Sequence, residues 1–166
     1  QTLTYSVVGN SNSDLATVSI DGDGVLTVSY TGDDNGSADI TVRADDSSGS
    51  TLDESFTVTV NAVNDAVTLA SPISDYSVDE DAGVSTVADL DDVFDDIDLT
   101  NGDPSALQTL TYSVVGNSNS DLASVSIDGS GSLTVSYTGD DNGSADITVR
   151  ADDSSGSTLD ESFTVT

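Results

Sequence analysis

The sequence predicts an all-β chain made of antiparallel β-sandwich modules in tandem, and three observations carry that reading. The first is an internal repeat: residues 1–59 recur as residues 108–166 at an offset of 107, and the copies differ only at Thr17/Ser124, Asp23/Ser130 and Val25/Ser132. Near identity at such a period marks a tandem array in which each unit is one structural module. The second is alternation of apolar and polar residues in short stretches, the mark of half-buried strands. The third is the even spacing of turn signals between those stretches, which favours two packed antiparallel sheets over a helical fold.

Taken in order, Val67 to Leu69, Tyr76 to Val78 and Val84 to Val87 read as three short strands. Helical periodicity is weak except over Ala88 to Phe94, a stretch short for a helix. In the second copy Leu110, Tyr112 and Val114 alternate with Thr109, Thr111 and Ser113. The same pattern holds for Val125/Ile127, Leu133/Val135/Tyr137, Ala145/Ile147/Val149 and Phe163/Val165. Between them lie the turn formers Gly116-Asn117-Ser118, Asp128-Gly129-Ser130-Gly131, Asn142-Gly143-Ser144 and Asp153-Ser154-Ser155-Gly156. Tyr30, Tyr112 and Tyr137 share the apolar phase of their strands, so they are expected in the core. The period also includes Val60 to Leu107. The organisation therefore reads as a partial module over 1–60, a linker over 61–66 and a near-complete module over 67–166.

Composition removes several function classes. There are 31 acidic side chains against two basic ones, Arg43 and Arg150, with no His or Lys and a formal charge of −29. Nucleic-acid binding needs Lys and Arg to neutralise phosphates, and anionic membrane surfaces need the same groups. A Ser or Thr nucleophile has no His or Lys base to activate it, and no pair of acids in an aromatic-lined cleft stands out for glycoside cleavage. An enzyme is therefore not expected. No apolar run approaches the ~20 residues of a spanning helix, so membrane insertion is not expected either. Cysteine is absent, and with it disulfides and soft metal sites.

Acidic residues crowd in VFDDIDLTNGD, Val93 to Asp103, where four aspartates stand without a neighbouring cation. A like-charged pair at ~5 Å costs about 0.8 kcal/mol in water and about 3 kcal/mol at an effective dielectric near 20. The counter-charge must come from outside, and carboxylate and carbonyl oxygens suit a hard divalent ion, Ca²⁺ or Mg²⁺. By contrast, Asp21 to Gly24 (DGDG) reads as a plain turn, because the second copy reads DGSG there. Asn35-Gly36 and Asn142-Gly143 read first as hairpin turns.

Three stretches in order, VNDA (Val63 to Ala66), DDID (Asp95 to Asp98) and VRADDSSG (Val149 to Gly156), resemble the linker, Asp-x-Asp turn and Ala-x-Asp turn of cadherin repeats. The version they resemble is that of tandem cadherin-like repeats in large bacterial surface proteins. The resemblance implies an immunoglobulin-like sandwich with Ca²⁺ at the junction between modules. Carried over, it makes Asp33 and Asp34 donors from the upstream module, and Asn64 (through a carbonyl) and Asp65 donors from the linker. Asp96, Asp98, Asn101 and Asp153 are the donors from the downstream module. Ala62 stands where the family has an Asp, its second Asn is missing, and Val67 replaces its Pro, so fewer or weaker ions are implied. Glu80, Asp140 and Asp141 would serve the next junction. The resemblance further implies an extracellular or cell-surface extender repeat of an adhesin, made rigid by calcium, with neighbouring repeats as its partners. A carbohydrate-binding module taking polysaccharide, or a filament or sheath subunit pairing with like chains, are the alternatives.

Overall fold

In the computed structural model, which describes residues 2–99 and 108–166, the alternating stretches become antiparallel strands in both copies. They fall into two units, one over residues 2–63 and one over residues 64–99 and 108–166.

The first unit contains β1 (Thr4–Asn10), β2 (Ala16–Ile20), β3 (Leu26–Tyr30), β4 (Gly36–Asp45) and β5 (Thr51–Val60). They form one sheet ordered β1-β4-β5 and a β2-β3 hairpin. Leu15, Ala16, Ala38 and Ile40 make its small core.

The second unit repeats this plan and adds to it. Its strands are β6 (Thr68–Leu69), β7 (Ser85–Asp89) and β8 (Phe94–Asp95), then β9 (Thr111–Asn117), β10 (Ala123–Ile127), β11 (Ser132–Tyr137), β12 (Ala145–Asp152) and β13 (Thr158–Val165). A one-turn helix, α1 (Leu90–Val93), falls where helical periodicity shows in the sequence; the Asp89 side chain caps it by accepting from the Asp91 N–H. A 3₁₀ turn covers Ile97–Leu99. The sheets are β13-β12-β9 and β10-β11-β7, with β6 paired to β8. Leu133, Val135, Ile147, Val149, Phe163 and Val165 meet Leu90, Val93 and Phe94 in the core between them.

Three expectations are corrected. Tyr76 to Val78 does not form a strand of its own; it makes an isolated parallel bridge to Val165, with Tyr76 and Val78 N–H groups donating to Thr164 and Thr166. Val114 is exposed, because the ladder to β12 slips between Val149↔Val114 and Thr148↔Gly116, leaving Val115 as an extra residue in a bulge. Gly116 is needed there: a Cβ would stand 3.1 Å from the Thr148 side chain. Tyr30 is 58% exposed rather than in a core, whereas its copy Tyr137 is half-buried and packs on the core beside Tyr112. Sequence phase fixes the face on which a side chain lies. It does not say whether another layer covers that face.

Candidate metal centre

At one end of the second unit, β6 pairs with β8 through Thr68↔Asp95 and Leu69↔Phe94. Phe94 is buried and stacks on Tyr112 with ring centroids 6.0 Å apart, which anchors this pairing to the main sandwich. The pairing brings the segment that begins at Asn64 beside the turn Asp96–Leu99. β12 ends at Asp152, so Asp153 opens the tight connection to β13 at the same end. Asn64, Asp65, Asp96, Asp98 and Asp153 are thus drawn together from stretches far apart in sequence.

The hydrogen bonds are specific. Asp98 N–H donates to Asp96 Oδ1 at 3.0 Å, and Asp65 N–H donates to Asp98 Oδ2 at 2.8 Å. Asn64 Nδ2 donates to Asp153 Oδ2 and to the Asp65 carbonyl, each at 2.9 Å. Asp153 Oδ1 accepts from the backbone N–H groups of Ser155, Gly156 and Ser157 at 2.7, 2.9 and 2.9 Å. Among the described residues, no group of three carboxylates is placed to hold an ion as it stands, and four of these oxygens face N–H donors.

One oxygen differs from the rest. Asp96 is fully buried, and its Oδ2 has no hydrogen-bond partner among the described residues. Burial pushes its carboxyl above the usual range; the Asp98 N–H opposes that, and the charges of Asp98, Asp153 and Asp65 reinforce it. Asp153 is 1% exposed and behaves in the opposite way. Burial would raise it, but the Asn64 amide and three backbone N–H groups win and hold it at about 2.

The chain's own cations are committed elsewhere. Arg43 grips Asp53 with two bonds of 2.6 and 2.7 Å, and Arg150 grips Asp160 at 2.6 and 2.8 Å, both as cross-strand pairs on exposed faces. A buried carboxylate oxygen without a donor among the described residues, beside three more carboxylates, therefore lacks an arginine to neutralise it. All-oxygen donors of this kind fit a hard cation.

The other expected donors belong to the first unit or lie outside the described residues. Asp33 and Asp34 stand in the β3–β4 turn of the first unit, Asp33 exposed with φ of 61° and Asp34 half-buried. Asn101 lies outside the described residues. In the second unit Asp140 and Asp141 precede β12, at the opposite end of that strand from Asp153, and Asp140 N–H donates to Asp81 Oδ1 at 3.3 Å. Sequence reasoning missed two supports. Gln108 Nε2 donates to Asn64 Oδ1 at 2.8 Å, and Ser157 Oγ accepts the Val67 N–H at 3.0 Å, tying the Asn64–Val67 segment to the β12–β13 turn. Neither residue type carries a metal signal. The Asp153-Ser154-Ser155-Gly156 run did show as a turn in the sequence; that the Asp153 side chain accepts its backbone N–H groups is seen only in the structure.

No protein-family model matches the sequence, and no curated protein matches it. Over 98% of its length the chain is similar in structure to cadherin ectodomain fragments. Human mucin-like protocadherin EC1-2 matches with a TM-score of 0.59 at 15% identity over 82% of that chain. Human CDH23 EC21-23 matches at 0.59 and 17% over 57% of its chain, and Drosophila N-cadherin EC1-4 at 0.51 and 16% over 41%. This chain thus spans under two thirds of the latter two. At such identities the likeness shows a fold, the cadherin-like antiparallel β-sandwich.

Proposed function

We propose that the chain is a structural repeat segment of an extracellular adhesion-type protein, stabilised by calcium at the Asp96 end of the second unit. The observation that carries the reading is the orphaned, buried Asp96 Oδ2 among Asp65, Asp98 and Asp153. Calcium supplies the positive charge that neither arginine brings. Asp65, Asp96, Asp98 and Asp153 are its carboxylate donors, and Asn64 contributes a carbonyl.

Asn64 and Asp65 belong to the segment that leads into the sandwich, whereas Asp96, Asp98 and Asp153 belong to its end. Holding all of them fastens the entering segment to the module. The cadherin-like fold supports an adhesion-type role rather than an enzymatic one, and near-identical copies suit a spacer whose task depends on number and spacing. The finer reading, an extender repeat of a large bacterial surface adhesin, rests on the sequence resemblance.

The test is calorimetric titration of chelated protein with Ca²⁺, followed by melting. A ligand bound to the native state alone adds about 2.7 kcal/mol at a hundredfold excess over Kd. Melting is expected to rise by several degrees, with Mg²⁺ far less effective because it demands tighter octahedral geometry. An unchanged melt in millimolar Ca²⁺ overturns the proposal.

A further inference from the structure

Two side-chain amides stand in series beside the aspartate cluster of the second unit. Asn64 Nδ2 donates to Asp153 Oδ2 and to the Asp65 carbonyl, so a donor faces oxygens that the calcium reading assigns to an ion. Behind it, Gln108 Nε2 donates to Asn64 Oδ1 at 2.8 Å and holds that oxygen turned away from Asp153. Gln108 is half-buried ahead of β9 and Asn64 precedes β6, so the pair joins two separate stretches of chain.

This arrangement suits the cluster without an ion and opposes an ion within it. The amide N–H groups present the positive end of a dipole, which offsets part of the Asp153 charge; beside a cation the same groups are repelled. Half a turn about the Asn64 Cβ–Cγ bond exchanges donor and acceptor, because the amide nitrogen and oxygen are nearly alike in shape. After that turn Oδ1 faces the ion, and Nδ2 faces residue 108 and needs an acceptor there. Glutamine meets both demands, since its own amide offers Nε2 as donor or Oε1 as acceptor.

We propose that Gln108 is a positioning residue for the metal centre, reversing its amide together with that of Asn64 when calcium binds, so that Asn64 Nδ2 serves Asp153 without the ion and Asn64 Oδ1 serves the ion with it. The inference rests on the calcium reading above and adds a residue that is not itself a ligand. The two bonds that Asn64 gives up, to Asp153 and to the Asp65 carbonyl, free both oxygens for the ion.

The test follows the Asn64 and Gln108 side-chain amides by NMR in the full ¹⁵N-labelled chain, with chelator and then through a Ca²⁺ titration, beside melting curves. The signals are identified by their loss in Asn64→Ala and Gln108→Ala. In chelator the Asn64 amide protons are expected to show proton–proton contacts with the Asp153 Cβ protons, replaced in Ca²⁺ by contacts with the Gln108 Cγ protons. Gln108→Glu supplies only an acceptor, so the contacts to residue 108 should be present even in chelator. Calorimetry should find that Gln108→Glu binds Ca²⁺ about three- to tenfold more tightly than Thr109→Glu, the worth of one hydrogen bond. Thr109→Glu adds the same charge at the exposed neighbouring position. If melting rises with Ca²⁺ while the contacts to Asp153 persist, or if the two glutamate variants bind alike, the proposal is overturned and the calcium reading stands. Melting and amide signals that both ignore Ca²⁺ overturn the two together.

Discussion

Asp96 and Asp153 are two buried aspartates of one cluster that titrate in opposite senses. For Asp96 the folded value lies above the ordinary 3.8, so its ionisation opposes folding. That penalty is absent below the unfolded value, grows as pH rises through the folded one, and is complete above it. Asp153, held at about 2, contributes stability that is present above 3.8 and lost as pH falls through its folded value. Asp96→Asn is therefore expected to stabilise the chelated protein at neutral pH by about 1 to 3 kcal/mol, the usual cost of a buried unsatisfied polar group. The same change should abolish most of the gain in melting temperature from Ca²⁺, and the difference from wild type without Ca²⁺ should vanish below pH 3.8. Melting curves of both proteins across pH, with chelator and with Ca²⁺, check this. The crowding of aspartates at Asp95 to Asp98 was legible in the sequence. Which single oxygen would lack a donor was not, because that depends on how Asn64, Asp65, Asp98 and Asp153 pair with groups far away in the sequence.

Strands were legible wherever alternation ran for five residues or more, as in β11 and β12. The shorter elements were less so: Tyr76 to Val78 bonds an edge without becoming a strand, and the bulge at Val115 turns Val114 outward despite its apolar phase. Both departures come from a partner strand, which local pattern does not encode. One pair of leucines turns this into a measurement. Leu133→Ala empties a fully buried site and should cost about 2 to 5 kcal/mol, whereas Leu26→Ala acts where the side chain is already part-exposed and should cost under about 1 kcal/mol. Denaturant unfolding followed by hydrogen exchange in each unit distinguishes the two.

Across the whole molecule, a charge of −29 opposes compaction in two separable ways. Diffuse repulsion is screened by any salt, with a Debye length near 10 Å at 0.1 M. Repulsion inside the Asp96 cluster is buried and yields to an ion placed there. Monovalent salt is therefore expected to raise the melting temperature of chelated wild type and Asp96→Asn alike, while millimolar Ca²⁺ at fixed ionic strength raises wild type far more than the variant. Equal responses to Ca²⁺ in a parallel set of melts would assign the effect to screening. Net charge and repeat length were open to sequence reading at this scale. The unequal cover of the two copies appeared only once the strands were assembled.

The two arginines have a practical consequence. Trypsin cuts after Lys or Arg, and this chain offers it two bonds, Arg43–Ala44 in β4 and Arg150–Ala151 in β12. Each arginine is gripped by an aspartate across the strand, so cleavage must wait for that strand to open. One protease thus probes each unit at a single matched bond. With Ala44 half-buried and Ala151 fully buried, the first cut is expected after Arg43. If mass spectrometry of a timed digest finds Arg150 cut first, the second unit opens more readily than the first.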